Sequence, residues 1–190
     1  YKPGTQGTFE ETVFKNLDYG TTTPEYTKSK TGKPGYTFAK WSPEIATTVT
    51  ENIEYIATWS ANTDTKYKVE HYKQTLTGTY ELEETENLTG TTDETATAIA
   101  KTYDGFTENE TNTSRIPTGT IAGDGSLTLK LYYDRNSYEL TINHYVQNAD
   151  DNKFTLNKTQ TESGKVFGST IEINTKKIDI ENATYSYGTD

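Results

Sequence analysis

The chain has no cysteine and no methionine among its 190 residues, and it has only two histidines. Without cysteine, disulfide scaffolds, thiolate metal sites and cysteine nucleophiles are excluded. Two histidines, His71 and His144, are too few for a histidine-rich metal centre. No apolar run approaches the roughly 20 residues of a membrane-spanning helix, so we expect no membrane insertion. Because position 1 is not methionine, we expect a segment processed or excised from a longer chain.

Basic residues are outnumbered by acidic ones. The chain has 18 lysines and arginines against 28 acidic residues, a formal net charge of -10 at pH 7. Proteins that bind nucleic acid neutralise phosphates with a positively charged surface. We therefore expect no nucleic-acid partner.

Aliphatic side chains are few, with 9 Leu, 11 Ile and 5 Val, whereas the chain has 39 Thr and 15 Tyr. Threonine and tyrosine favour strands and tolerate one solvated face. This composition predicts a mainly β protein, α+β at most, in which thin antiparallel sheets enclose small aromatic-rich cores.

Three segments follow from the pattern of turns and strands: residues 1–60, 66–135 and 138–190. The second and third segments each open with an alternating strand whose more apolar face ends in a histidine. These faces are Tyr67, Val69 and His71, and then Leu140, Ile142 and His144. The shift of 73 residues between them indicates tandem repeats. The third segment lacks a counterpart of the strand predicted at 127–133, so we expect it to be incomplete.

Strands are predicted in the first segment at 11–17, 36–41 and 47–59. Simple alternation puts Tyr36 and Phe38 on one face of the second of these strands and Trp41 on the other. In the second segment we expect strands at 67–72, 80–88 and 127–133, and either a strand or a short helix at 95–100. Glycine-containing turns are predicted at 19–24, 33–35, 76–79, 90–92, 104–105 and 123–125.

The first segment resembles the internalin B-type repeat, also called the Listeria–Bacteroides repeat. The resemblance rests on residues 20–24, 35–41, 49–50 and 55–59. The second segment resembles mucin-binding-protein (MucBP-like) repeats at 69–72, 88–90, 103–106, 119–120 and 129–133. The third is similar to the same repeats at 144–146 and 164–166.

These resemblances imply tandem small β-grasp or ubiquitin-like modules in an elongated array. They also imply an extracellular protein of Gram-positive bacteria, anchored to the cell wall through a region outside this segment. Such proteins act as adhesins or stalks. The implied partners are host glycoprotein or glycan, and the resemblance carries over no individual binding residue.

Several titratable residues are candidates for chemistry, but each also has a plain structural role. His71 and His144 sit at equivalent repeat positions with no recurring acid beside them in sequence, so we interpret both as hydrogen-bonded core histidines. An acidic cluster could supply the paired carboxylates of a glycosidase, but its alternation along a strand favours a solvated edge strand. This cluster consists of Glu81, Glu83, Glu84 and Glu86. The sequence thus predicts no catalytic residue, no cofactor and no enzyme.

Two acidic turns, at 123–125 and 150–152, could hold calcium, but neither has an EF-hand pattern, so we interpret them as hairpin turns. Trp41, Trp59 and Tyr36 could stack on a sugar, although a core role is favoured. Other tyrosines are the candidates for exposed contacts, namely Tyr26, Tyr185 and Tyr187. The abundance of lysine, asparagine and acidic residues leaves an isopeptide cross-link open.

The sequence therefore predicts a monomeric, non-catalytic segment of a surface protein that acts as a spacer in adhesion. The alternative is that the modules themselves bind host glycan or matrix protein through their sheet faces or edges.

Overall fold

The computed structural model describes residues 1–179, which form a mainly β protein, as the composition predicts. Ten strands and one short 3-10 turn, Ile173–Lys176, make up the regular structure of these residues, which contain no α-helix. The strands are β1 (Tyr36–Ser42), β2 (Ile56–Ala61), β3 (Thr65–Gln74), β4 (Tyr80–Gly90), β5 (Thr95–Thr97), β6 (Phe106–Glu108), β7 (Thr118–Thr120), β8 (Thr128–Arg135), β9 (Ser137–Gln147) and β10 (Phe154–Val166).

Four small sheets organise these strands. β3 and β8 form the centre of a four-stranded sheet with the order β4-β3-β8-β6. The other sheets are the antiparallel pairs β1–β2, β5–β7 and β9–β10. At 95–100, where the sequence left helix and strand open, the strand β5 forms.

Packing divides the described chain into two compact units. Unit 1 comprises Tyr1–His71, Leu82–Ala100 and Glu110–Leu131; unit 2 comprises Tyr72–Glu81, Lys101–Asn109 and the described residues from Tyr132 onward. The division into the three segments 1–60, 66–135 and 138–190 is drawn from the sequence and stays a prediction.

The alternation predicted for β3 and β9 is confirmed, and on β8 it holds except at Tyr132, which is also buried. Val69 and His71 on β3, and Leu129 and Leu131 on β8, are fully buried. Ile142 and His144 are buried on β9. In unit 1, Val69 and Leu129 pack with Ala96 and Ile121 into one apolar cluster.

Of the predicted strands in the first segment, one is wrong and another is right only in part. Residues 11–17 form no strand, and Val13 and Phe14 are exposed rather than packed. Of 47–59, only the part from Ile56 onward is a strand, although Thr48 makes a single antiparallel bridge with Thr22. Propensity favoured strands here, but a strand needs a continuous partner for its backbone groups.

The predicted side of Trp41 is also wrong. A β-bulge shifts the register of β1 against β2 between Phe38 and Lys40. The extra residue turns the Trp41 indole to the side of Phe38, and their ring centroids lie 5.3 Å apart. A bulge of one residue reverses the faces beyond it, which simple alternation cannot reveal.

Candidate functional site

The two tryptophans pack into the core of unit 1, as the sequence analysis favoured. Trp41 and Trp59 lie against a buried cluster formed by Phe9, Tyr26 and Ala57. The Trp59 indole N–H donates to the Pro3 carbonyl at 2.7 Å. Both rings are half-buried against this cluster, which favours a core role over a sugar-stacking platform.

Tyr36 has a different role from the tryptophans. Its hydroxyl donates a hydrogen bond to the Asp93 carboxylate, and this bond raises the pKa of Tyr36 above its ordinary value. The third member of the predicted aromatic platform thus contacts a turn of unit 1.

The prediction that Tyr26 is an exposed contact residue is wrong. Only 8% of Tyr26 is exposed, and its ring packs against Phe9 and Trp41 with centroids 5.1 and 5.3 Å apart. Because aliphatic side chains are few, the core is built from aromatic rings, each of which buries a large area. Tyr185 and Tyr187 lie outside the described residues.

The histidine interpretation is confirmed for His71, with a partner that the sequence did not predict. His71 is fully buried, and its Nε2 lies 3.0 Å from Oε2 of Glu86. The acid reaches it from β4, across the strand pair, rather than from a neighbouring position in sequence. His144 is buried at the equivalent place on β9. Burial keeps both imidazoles away from any substrate in solution.

The acidic cluster lies on β4, which is an edge strand of the four-stranded sheet. Glu81 and Glu83 are exposed, whereas Glu84 and Glu86 are half-buried. The predicted edge position is confirmed, but only Glu81 and Glu83 are solvated as expected. Carboxylates along an edge discourage pairing with another strand.

The two acidic turns satisfy their carboxylates with local donors. Asp124 accepts the Ser126 amide N–H at 3.0 Å, and hydrogen bonds from Ser126 lower the pKa of Asp124. Asp151 accepts the amide N–H of Lys153 at 3.0 Å and the side-chain N–H of Asn148 at 2.8 Å. Within residues 1–179, no three acidic or histidine side chains gather as metal ligands.

A third carboxylate, Glu162 on β10, is held by two ammonium groups. Lys165 Nζ lies 2.8 Å from Oε2 of Glu162, and Lys176 Nζ lies 2.7 Å from Oε1. Hydrogen bonds from these two lysines lower the pKa of Glu162 to about 2. The pair with Lys176 ties the 3-10 turn to the β9–β10 hairpin.

An open groove in unit 1 was not predicted from the sequence. It has a volume of about 870 Å³ and lies between residues 11–17 and 46–55. Tyr1 and Tyr55 line it, and Phe14 and Tyr19 stand at its exposed wall, Tyr19 with 83% of its surface in solvent. The signal was available, since Val13 and Phe14 were the apolar residues of the mistaken strand at 11–17.

The connection between β8 and β9 consists of one residue, Asn136. Its amide N–H donates to the Gly105 carbonyl at 2.8 Å, and its carbonyl accepts the Phe167 amide N–H at 2.8 Å. Arg135 beside it donates from Nε to the Gln74 carbonyl and from Nη1 to the Phe167 carbonyl. The link between the second and third predicted segments is therefore hydrogen-bonded both to the residue before β6 and to the residue after β10.

Comparison with known proteins does not place the chain in a family. No protein-family model matches the chain, and no curated protein shows significant sequence similarity to it. None of the described residues belongs to a helix long and apolar enough to cross a bilayer.

Proposed function

We propose that this chain is a non-catalytic, extracellular repeat segment of a bacterial surface protein, where it serves as a spacer in adhesion. In this proposal, internalin B-type and MucBP-like repeats are small β-grasp-type modules held in an elongated array. The array is a monomeric part of a larger protein that is anchored to the cell wall elsewhere.

The one-residue connection at Asn136 is the observation that carries the proposal. A spacer must resist rotation between successive modules, and short connections restrict such rotation. At Asn136 both backbone groups are hydrogen-bonded, and Arg135 also lies over the Phe106 ring, 5.0 Å from its centroid. Each of these contacts opposes rotation about the link.

The described side chains favour a role without chemistry. Both imidazoles are buried, and the carboxylates of Asp124, Asp151 and Glu162 are engaged by local donors. A general acid or base must reach the proton it transfers, which a side chain enclosed in a sheet does not.

The groove in unit 1 favours the alternative, direct recognition of a host glycan or matrix protein. Ligand sites combine aromatic walls with a few convergent polar groups, in volumes of roughly 300–1,000 Å³. The groove has such a volume, and Thr12, Asn16 and Glu51 lie beside its aromatic residues. In this alternative the segment is itself an adhesive module.

A binding array of host glycans and matrix proteins separates the two functions. For the spacer we expect no specific binding by the purified chain at physiological salt. Specific binding that Tyr19→Ala abolishes would instead establish the groove as an adhesive site. Tyr145→Ala is the matched control, because Tyr145 is an exposed tyrosine on β9 with 55% of its surface in solvent. Binding lost equally in both variants would contradict the groove as its site.

A further inference from the structure

A second asparagine repeats the geometry of Asn136. Asn62 follows β2 as Asn136 follows β8, and the two residues lie 74 positions apart in sequence. The Asn62 amide N–H donates to the Gly35 carbonyl at 2.8 Å, and its carbonyl accepts the Thr92 amide N–H at 2.9 Å. One such arrangement lies in each compact unit.

The side chains of the two asparagines also bind alike. Thr37 Oγ1 donates to Oδ1 of Asn62 at 2.7 Å. Thr107 Oγ1 donates to Oδ1 of Asn136, also at 2.7 Å. Three hydrogen bonds with the same donors and acceptors therefore recur at two places whose neighbouring sequences differ.

The element that each asparagine contacts has the same composition. It is a glycine, an aromatic residue and a threonine: 35–37 in one case and 105–107 in the other. In both, the glycine opposes the asparagine, because the aromatic residue pairs with the residue before the asparagine: Tyr36 with Ala61, and Phe106 with Arg135.

Only glycine fits the first position of this element. Gly35 and Gly105 have φ angles of +82° and +76°, which side chains disfavour. A Cβ at Gly35 would lie 2.5 Å from Thr92 Oγ1 and also from the Gly123 Cα, and one at Gly105 would lie 2.2 Å from the Phe167 ring. Because these two glycines have no side chain, the turn that follows the next hairpin can pack directly against their backbone.

The aromatic residue reaches that same returning turn, by different chemistry in each unit. Tyr36 donates to the Asp93 carboxylate, next to Thr92. The Phe106 ring meets the Phe167 ring edge-on, with centroids 5.9 Å apart. Thr92 lies in the turn after β4, two residues beyond the end of the strand, and Phe167 directly follows β10.

We infer that the Gly–aromatic–Thr segment, in which a turn glycine precedes the first two residues of a strand, is a docking socket for the hairpin that follows it in the chain, and that the asparagine is its latch. The first socket, residues 35–37 with Asn62, receives the return of the β3–β4 hairpin. The second socket, residues 105–107 with Asn136, receives the return of the β9–β10 hairpin. The partner that fits this surface is a repeat hairpin preceded by an asparagine.

Amide hydrogen exchange on the whole chain tests the latch. Asn136→Ala and Thr107→Val each remove one side of a hydrogen bond, so either change should speed exchange of the Phe167 amide about fivefold. The double variant should exchange no faster than the single ones. Asn62→Ala and Thr37→Val should do the same to the Thr92 amide and leave that of Phe167 unchanged.

Asn143→Ala is the matched control, because Asn143 Oδ1 accepts a similar bond, from Thr159 Oγ1 at 2.8 Å, within the β9–β10 hairpin. This change should leave the exchange rates of the Phe167 and Thr92 amides unaltered. The inference is overturned if the latch variants leave the exchange rates of the Phe167 and Thr92 amides within twofold of those in the unaltered chain. It is also overturned if Asn143→Ala speeds exchange of these amides as much as the latch variants do. Exchange is read without a ligand, so this outcome is independent of the binding array that tests the spacer function.

Discussion

Gly35→Ala is expected to lower the free energy of unfolding by about 2–5 kcal/mol. Two effects add at this position. The φ angle of +82° is costly for any residue with a side chain, and the new methyl group would meet the Gly123 backbone and the Thr92 side chain at 2.5 Å. Thr92 is itself almost fully buried, so it cannot move out of the way into solvent. Urea unfolding followed by tryptophan fluorescence measures the loss, since Trp41 and Trp59 both lie in unit 1.

Gly20→Ala is the matched control for this prediction. Gly20 has nearly the same φ angle, +81°, and nothing within 4 Å of its added Cβ. Gly20→Ala therefore introduces only the backbone strain, which should lower the free energy of unfolding by about 1–2 kcal/mol. Equal losses in the two variants would mean that Gly35 is required only for its backbone angle and not for the close approach of the returning turn.

Leu129→Ala is expected to destabilise the protein by about 2–5 kcal/mol, because it deletes a fully buried side chain and leaves a cavity. Leu129 belongs to the cluster with Val69, Ala96 and Ile121, so its methyl groups have apolar neighbours from several strands. In a small core the stability depends heavily on each such contact, since there are few other buried apolar contacts. The same urea titration measures the change.

Leu82→Ala tests whether burial is the cause of the stability loss expected for Leu129→Ala. Leu82 lies on the edge strand β4 with 51% of its surface exposed, and its loss should change stability by less than about 1 kcal/mol. A Leu129 variant no less stable than the Leu82 variant would contradict the assignment of this cluster as the core.

Alternation of side chains predicted the strands with a buried face. On β3, β8 and β9 the apolar residues recur at every second position, and each of these faces is buried as expected. These strands have ladder partners along their length, so local pattern and tertiary structure agree. The first segment is different, because its aromatic residues were placed by propensity alone and part of it, at 11–17, has no strand partner.

The elements around the two asparagines could be predicted only in part. The turns at Gly35 and Gly105 were visible in the sequence, because glycine marks a positive φ angle. The bonds from Asn62 and Asn136 to them were not, since each joins residues about 27–31 positions apart through strand pairing. The Glu86 partner of His71 and the core position of Tyr26 were missed for the same reason: sequence neighbours do not reveal what lies across a sheet.

A distance measurement across each latched connection tests the central proposal, that the chain segments before and after Asn62, and before and after Asn136, are held in a fixed orientation. The chain has no cysteine, so two introduced cysteines can carry spin labels without interference. Exposed pairs within one unit are Lys40 with Lys68, across Asn62, and Thr102 with Thr141, across Asn136. The account predicts one narrow distance distribution for each pair, with the second broadened by Thr107→Val and Asn136→Ala together. A broad distribution in the protein with both latches intact would contradict the account.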